Sequence, residues 1–288
     1  MSTKRSAIAF MALVVRCVIA NCEQTGVKQS GKVWDGLSAK WAQNPRDGFF
    51  VLPETYQDAK KEGWNEISGL KLSDQTTGLG YRNDPRVVLI FLTKSGDCIG
   101  IQIAFSVADM KKLNLPIDHA DNPAITIKNL NGEDYYTATA YFHKNGNRRL
   151  WVQEKNGLVE IPTSPEEVVS KTTFLLKGCV PSMGLHYYKV DRNTNCSNIY
   201  PWALLRDNDN IVGMSFQVIG IANSGPERTW YENLPMGEVT CVIPDGPPCL
   251  AQGIERYGTL TFHFWFRKDP LLIRCCPQTP KSVNICDY

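Results

Sequence analysis

The chain has 288 residues, a formal net charge of +2, 43% hydrophobic and 10% aromatic residues, and ten cysteines. Near-neutral charge gives no electrostatic reason to expect nucleic acid or an anionic membrane as partner. The apolar content is ample for a sizeable core, and the absence of any C-x-x-C pair removes zinc-site and thioredoxin-type readings of the cysteines.

The N-terminus reads as a signal peptide over residues 1–20. Lys4 and Arg5 form a positive start, Ser6 to Val15 an apolar run, and Val18 and Ala20 the small-residue positions before cleavage. The mature chain is then expected to begin at Asn21 and to run to Tyr288 as one secreted domain. Arg16 interrupts the apolar stretch, and the competing reading is a buried N-terminal helix. The run is too short to span a bilayer and no later segment replaces it, so no membrane span is expected. Removing residues 1–20 takes away Lys4, Arg5 and Arg16 and no acidic residue, which leaves the charge near −1.

Cys17 leaves with the signal, and nine cysteines remain, pointing to an oxidised framework in a secretory compartment. An odd count means a free thiol, a disulfide-linked dimer or a different cleavage site. Four bridges are expected, with Cys179–Cys196 and Cys241–Cys249 favoured because their closing loops are short. The adjacent Cys275 and Cys276 are not expected to bond each other, because so tight a ring strains the dihedral.

Along the chain, Pro53 to Glu62 predicts a short helix ended by Gly63, and Ser164-Pro165 followed by Glu166 and Glu167 predicts the start of a second. The remainder reads mostly as strands. Arg86 to Thr93 and Cys98 to Val107 flank the turn residues Lys94-Ser95-Gly96-Asp97 and predict a hairpin. Tyr135–His143, Leu185–Val190, Ile211–Ile221 and Thr259–Arg267 follow the same style. The fold expected is α+β, predominantly β, with antiparallel hairpins, one or two short helices and disulfide staples.

An internal echo relates these strands. Phe91 to Phe105 resembles Leu204 to Val218, and in step with it Tyr136 to Gly146 resembles Tyr257 to Asp269. Two echoes in the same order allow two related halves, about residues 21–160 and 161–288, with chance likeness between hairpins as the alternative.

Candidate chemistry rests on four histidines, His119, His143, His186 and His263. His186 lies in GLHYYKV and His263 in LTFHFWF, both aromatic strand sequence. Alternation puts His263 on one face with Thr259, Thr261 and Trp265, while Phe262, Phe264 and Phe266 point the other way. If the halves pack together the two imidazoles face one another, with Tyr187, Tyr188 and Trp265 as pocket candidates. Such a pair can hold copper or iron, given a third ligand such as His143 or Asp207, or can act as base and donor. The competing reading is a half-buried histidine bonded to a backbone carbonyl.

Asp207-Asn208-Asp209-Asn210 resembles a calcium loop but lacks its glycine and distal glutamate, and reads better as a turn. Serine-hydrolase, P-loop and dinucleotide fingerprints are absent or incomplete: Gly213-Met214-Ser215-Phe216-Gln217 lacks a second glycine, and Gly78-Leu79-Gly80 a third. The tryptophans Trp34, Trp41, Trp64, Trp151, Trp202, Trp230 and Trp265 are spread along the chain, as β-core fillers usually are. Two or three could also form a stacking platform.

At WDGLSAKWAQNPRDGFFVLP, IGIQIAF, GCVPSMGLHYY and LTFHFWFRKDPLL the chain resembles a group of secreted, cysteine-bearing invertebrate proteins known mainly as uncharacterised sequences. GLHYY and HFWF are its most distinctive marks. The resemblance implies a secreted animal protein and carries over no activity, cofactor or catalytic residue. Two functional readings follow from the residues. One is a non-enzymatic extracellular protein binding a small apolar ligand, a glycan or another protein. The other is a secreted oxygen-using oxidoreductase, of monooxygenase or luciferase type, centred on His186 and His263.

Overall fold

The computed structural model describes residues 34–40, 48–144 and 146–273. The expected signal peptide, Cys22, Trp41, Cys275, Cys276 and Cys286 lie outside these residues. The described chain opens with two short strands, β1 (Ser38–Ala39) and β2 (Phe50–Val51), and helix α1 (Tyr56–Lys61). Four strands follow, β3 (Trp64–Glu66), β4 (Thr76–Tyr81), β5 (Val87–Leu92) and β6 (Cys98–Ser106), then α2 (Val107–Lys112). Next come β7 (Thr126–Leu130), β8 (Glu133–His143), β9 (Arg149–Glu154), β10 (Gly157–Ile161) and α3 (Pro165–Lys171). The last run is β11 (Leu175–Val180), β12 (Gly184–Tyr188), β13 (Trp202–Asp207), β14 (Asn210–Ile219), α4 (Met236–Val242), α5 (Pro248–Tyr257) and β15 (Thr259–Trp265).

The strands form two antiparallel sheets. One has the order β10-β9-β8-β6-β5-β4-β3, with β7 also against β8, and the other β11-β12-β13-β14-β15-β1-β2. Period-two alternation decides which side chains meet between them. Ile101, Ile103 and Phe105 of β6 and Leu260, Phe262 and Phe264 of β15 enter one shared core, where Phe105 meets Phe216 and Phe142 meets Phe266. Each such large side chain contributes about 1.5–3 kcal/mol by leaving water. The change of sheet falls near residue 160, but β1 and β2 cross over to pair with β15 and with each other.

The echoing segments occupy corresponding places: hairpin β5–β6 with β8 against β6, and hairpin β13–β14 with β15 against β14. This is a correspondence of place and not a demonstration of common descent. The turn between β13 and β14 is a tight hairpin with Asn208 in the left-handed region, so the Asx residues serve the turn.

Helices are more numerous than the one or two expected: five α-helices lie among the described residues. α1 begins after its Thr55 cap instead of at Pro53, and Gly63 beyond it has φ 87. α2 continues directly from a strand read as ending at Val107, because the Ser106 side chain accepts from the Asp109 amide and starts a helix. α4 and α5 lie on the outer face of the second sheet, burying Val239, Ile243, Leu250 and Ile254 against Tyr188, Val190, Ala203 and Ile219. Gly178 makes the approach possible, since a Cβ there would sit 2.9 Å from the Val242 Cα.

The short-loop disulfide pairs do not form. Cys196 bonds Cys249 across a sequence separation of 53 residues, so neither is available to Cys179 or Cys241, which are themselves disulfide-bonded. The cause is spatial: Cys249 opens α5, which carries it away from Cys241 in α4 and onto the loop after β12 that holds Cys196. Cys98 keeps a free thiol. It is buried, and burial pushes its pKa up to about 12, so this thiol is not presented to a second chain.

Candidate functional site

The two histidines do meet, but within one sheet and not across two halves. His186 is on β12 and His263 on β15, with β13 and β14 between them. Tyr188, Ala203, Ser215 and His263 stand in one cross-strand row, and His186, Leu205, Gly213 and Trp265 in the next. Ala203, Gly213 and Ser215 keep the floor between the outer strands low, and the imidazoles lean over it until their centroids are 6.0 Å apart, with perpendicular planes. Gly213 is required there, because a Cβ would come 2.4 Å from the Phe264 carbonyl oxygen.

Each ring lies parallel to the aromatic two residues along its own strand. His186 stacks on Tyr188 at 5.9 Å and His263 on Trp265 at 5.8 Å. Alternation therefore places Tyr188 and Trp265 at the pair, as expected. It places Tyr187 on the opposite face, in the inter-sheet core, where its hydroxyl accepts from Arg206 Nη1 at 2.9 Å. Tyr187 therefore faces away from the histidine pair.

Both rings are anchored through Nδ1. His186 donates to the Gly178 carbonyl at 3.2 Å, and His263 donates to Glu232 Oε2 at 2.5 Å. Glu232 reaches this position through a two-way backbone pairing with Thr261 (2.8 and 2.9 Å), which extends the β15 edge beyond β1. No pattern in the loop before Glu232 marks it in the sequence. Burial, followed by repulsion from His263, lowers the pKa of His186 to about 3, and this ring is neutral at physiological pH. Burial raises that of Tyr188 to about 12.

A third metal ligand is not brought in. His143 is exposed at the end of β8 in the other sheet, with Nδ1 3.4 Å from the Asn147 carbonyl oxygen. Asp207 is held by Arg267 Nη1 at 2.5 Å. Among the described residues no group of three or more His, Cys, Asp or Glu side chains could hold a metal ion. His119 is buried elsewhere, with Nε2 3.0 Å from the Ile219 carbonyl oxygen, and burial lowers its pKa to about 4.

His186 and His263 are each 1% exposed. A small cavity of about 30 Å³ lies under α4 and α5, touching His119, Tyr188, Gln217 and Thr259 but neither His186 nor His263. That volume suits one water and not an organic substrate. Chemically, the Glu232–His263 couple fixes the orientation of the His263 ring in a closed interior. No helix among the described residues is long and apolar enough to cross a membrane. Comparison with protein-family models, with curated proteins and with solved structures finds no match to this chain.

Proposed function

We propose that the chain is a secreted extracellular binding protein that takes its ligand or partner at its surface. The observation that carries this reading is the filling of the interior around the histidine pair, where the adjoining cavity is water-sized. Concavities large enough for ligand groups are open ones: about 710 Å³ beside Tyr56, Asp58 and Lys94, and about 550 Å³ beside Arg86, Asp109 and Lys112. The Cys196–Cys249 bond supports an oxidising destination. Native mass spectrometry of protein purified from its source tests the reading. A co-purifying ligand or partner is expected, whereas a bare chain that turns over a defined substrate rejects it.

One contact favours the oxidoreductase reading, namely the 2.5 Å bond by which Glu232 orients His263 beside a second imidazole and two electron-rich rings. On that reading His186→Ala and His263→Ala each abolish activity while circular dichroism stays native. Unfolding of both variants makes the pair structural, and full activity in both removes it from catalysis.

A further inference from the structure

We propose that Arg228, boxed by Phe50, Trp64, Tyr81 and Trp230, is the centre of a carboxylate-binding site. The guanidinium carbon lies 3.7 Å from the Tyr81 ring centroid, 4.9 Å from Phe50, 5.3 Å from Trp230 and 5.8 Å from Trp64. The box forms where the two sheets and a loop come together. Trp64 and Tyr81 are cross-strand partners on β3 and β4, Phe50 is on β2 at the edge of the other sheet, and Arg228 and Trp230 lie within the loop between β14 and α4.

Three donors in this box have no acceptor: Arg228 Nη1, Trp64 Nε1 and Trp230 Nε1 are all buried without a hydrogen-bond partner. Buried donors are almost always paired, so three around one guanidinium mark a place for an acceptor. Of the neighbouring carboxylates, Glu227 is taken by Arg82 at 2.5 Å, and Asp84, in the turn after β4, is paired through Oδ1 with Arg86 while its buried Oδ2 has no partner among the described residues. Lys40 Nζ lies 5.3 Å from the Phe50 centroid and adds to the positive field. An aromatic box is also the usual receptor for a quaternary ammonium group, but here a cation already fills it and the unmet groups on the side chains of the box itself are donors. The ligand group is therefore an acceptor, and a guanidinium pairs most strongly with an anionic one. A guanidinium stacked on a ring offers its edge, and a flat carboxylate pairs with that edge in plane through two parallel N–H···O bonds.

This inference deepens the surface-binding reading and rests on it. The test uses the whole folded protein, acetate as probe, and the indole N–H resonances of its seven tryptophans. Substitutions Trp64→Phe and Trp230→Phe assign the two relevant signals. Acetate at constant ionic strength should move those two along a saturable curve, and chloride should not. Arg228→Gln should abolish the response, and Arg228→Lys, which keeps charge but loses the fork, should weaken it about tenfold. If Arg228→Gln fails to fold, Arg228→Lys decides. No saturable shift, an equal shift in the variants, or a response to inorganic phosphate and not to acetate overturns the proposal. A partner found by native mass spectrometry would in that case leave surface binding standing without this site.

Discussion

At the scale of single residues, the histidine pair shows how buried polar groups are satisfied. His263 is stable in the interior because Glu232 accepts from its Nδ1, and His186 because the Gly178 carbonyl does. Truncating one partner strands the other. Glu232→Ala is expected to cost about 1–3 kcal/mol in urea denaturation, and Glu232→Gln, which keeps an acceptor, distinctly less. Equal losses would show that the bond to His263 is not what Glu232 contributes. Gly213→Ala belongs to the same scale. Its methyl would meet the Phe264 carbonyl oxygen and the Trp265 ring, and a loss of about 1–3 kcal/mol in the same assay is expected. Alternation made the company of His263 legible beforehand, since Thr261 and Trp265 had to share its face. The nearness of His186 was expected only through the packing of two halves; its actual route was not legible, because it depends on two intervening strands of one sheet offering Ala203, Gly213 and Ser215 as a low floor. Glu232 and Arg228 sit in a loop without periodicity, and the aromatic box gathers residues from separate strands, which spacing cannot reveal.

At the scale of elements, strong period-two segments such as β6 and β15 were readable, whereas the helices over the second sheet were not anticipated. The punctuation of α5 was present in Pro248 and Gly258, the latter at φ 77, but its apolar residues are few. Missing α4 and α5 also hid the disulfide, since loop length favours Cys241–Cys249 only when the two are not held on separate helices. Peptide mapping without reduction should recover Cys196 linked to Cys249, and a peptide joining Cys241 to Cys249 would contradict the structure. Replacing both bonded cysteines with serine should cost about 4 kcal/mol by the loop-entropy relation for this span, read as a fall in unfolding midpoint.

At the scale of the whole molecule, neutral histidines buried in the interior couple stability to pH. The folded-state pKa of His186, about 3, and of His119, about 4, lie below the usual value of 6.5, so the unfolded chain binds protons first as pH falls. Their contribution is fully present above about pH 6.5 and is lost as pH drops toward the folded values. In that window each histidine removes up to about 1.4 kcal/mol per pH unit. Urea midpoints should therefore fall from pH 7 toward pH 4, and His186→Phe should flatten the profile; an unchanged slope would mean that His186 already titrates in the folded protein. The same closure underlies the assignment of function to the surface. Its most direct measurement is an NMR titration of the His186 imidazole in the folded chain. A ring that stays neutral from pH 7 down to about pH 4 is the predicted result, and a ring that titrates near 6.5 would show a solvated pair, open to substrate, and contradict the account.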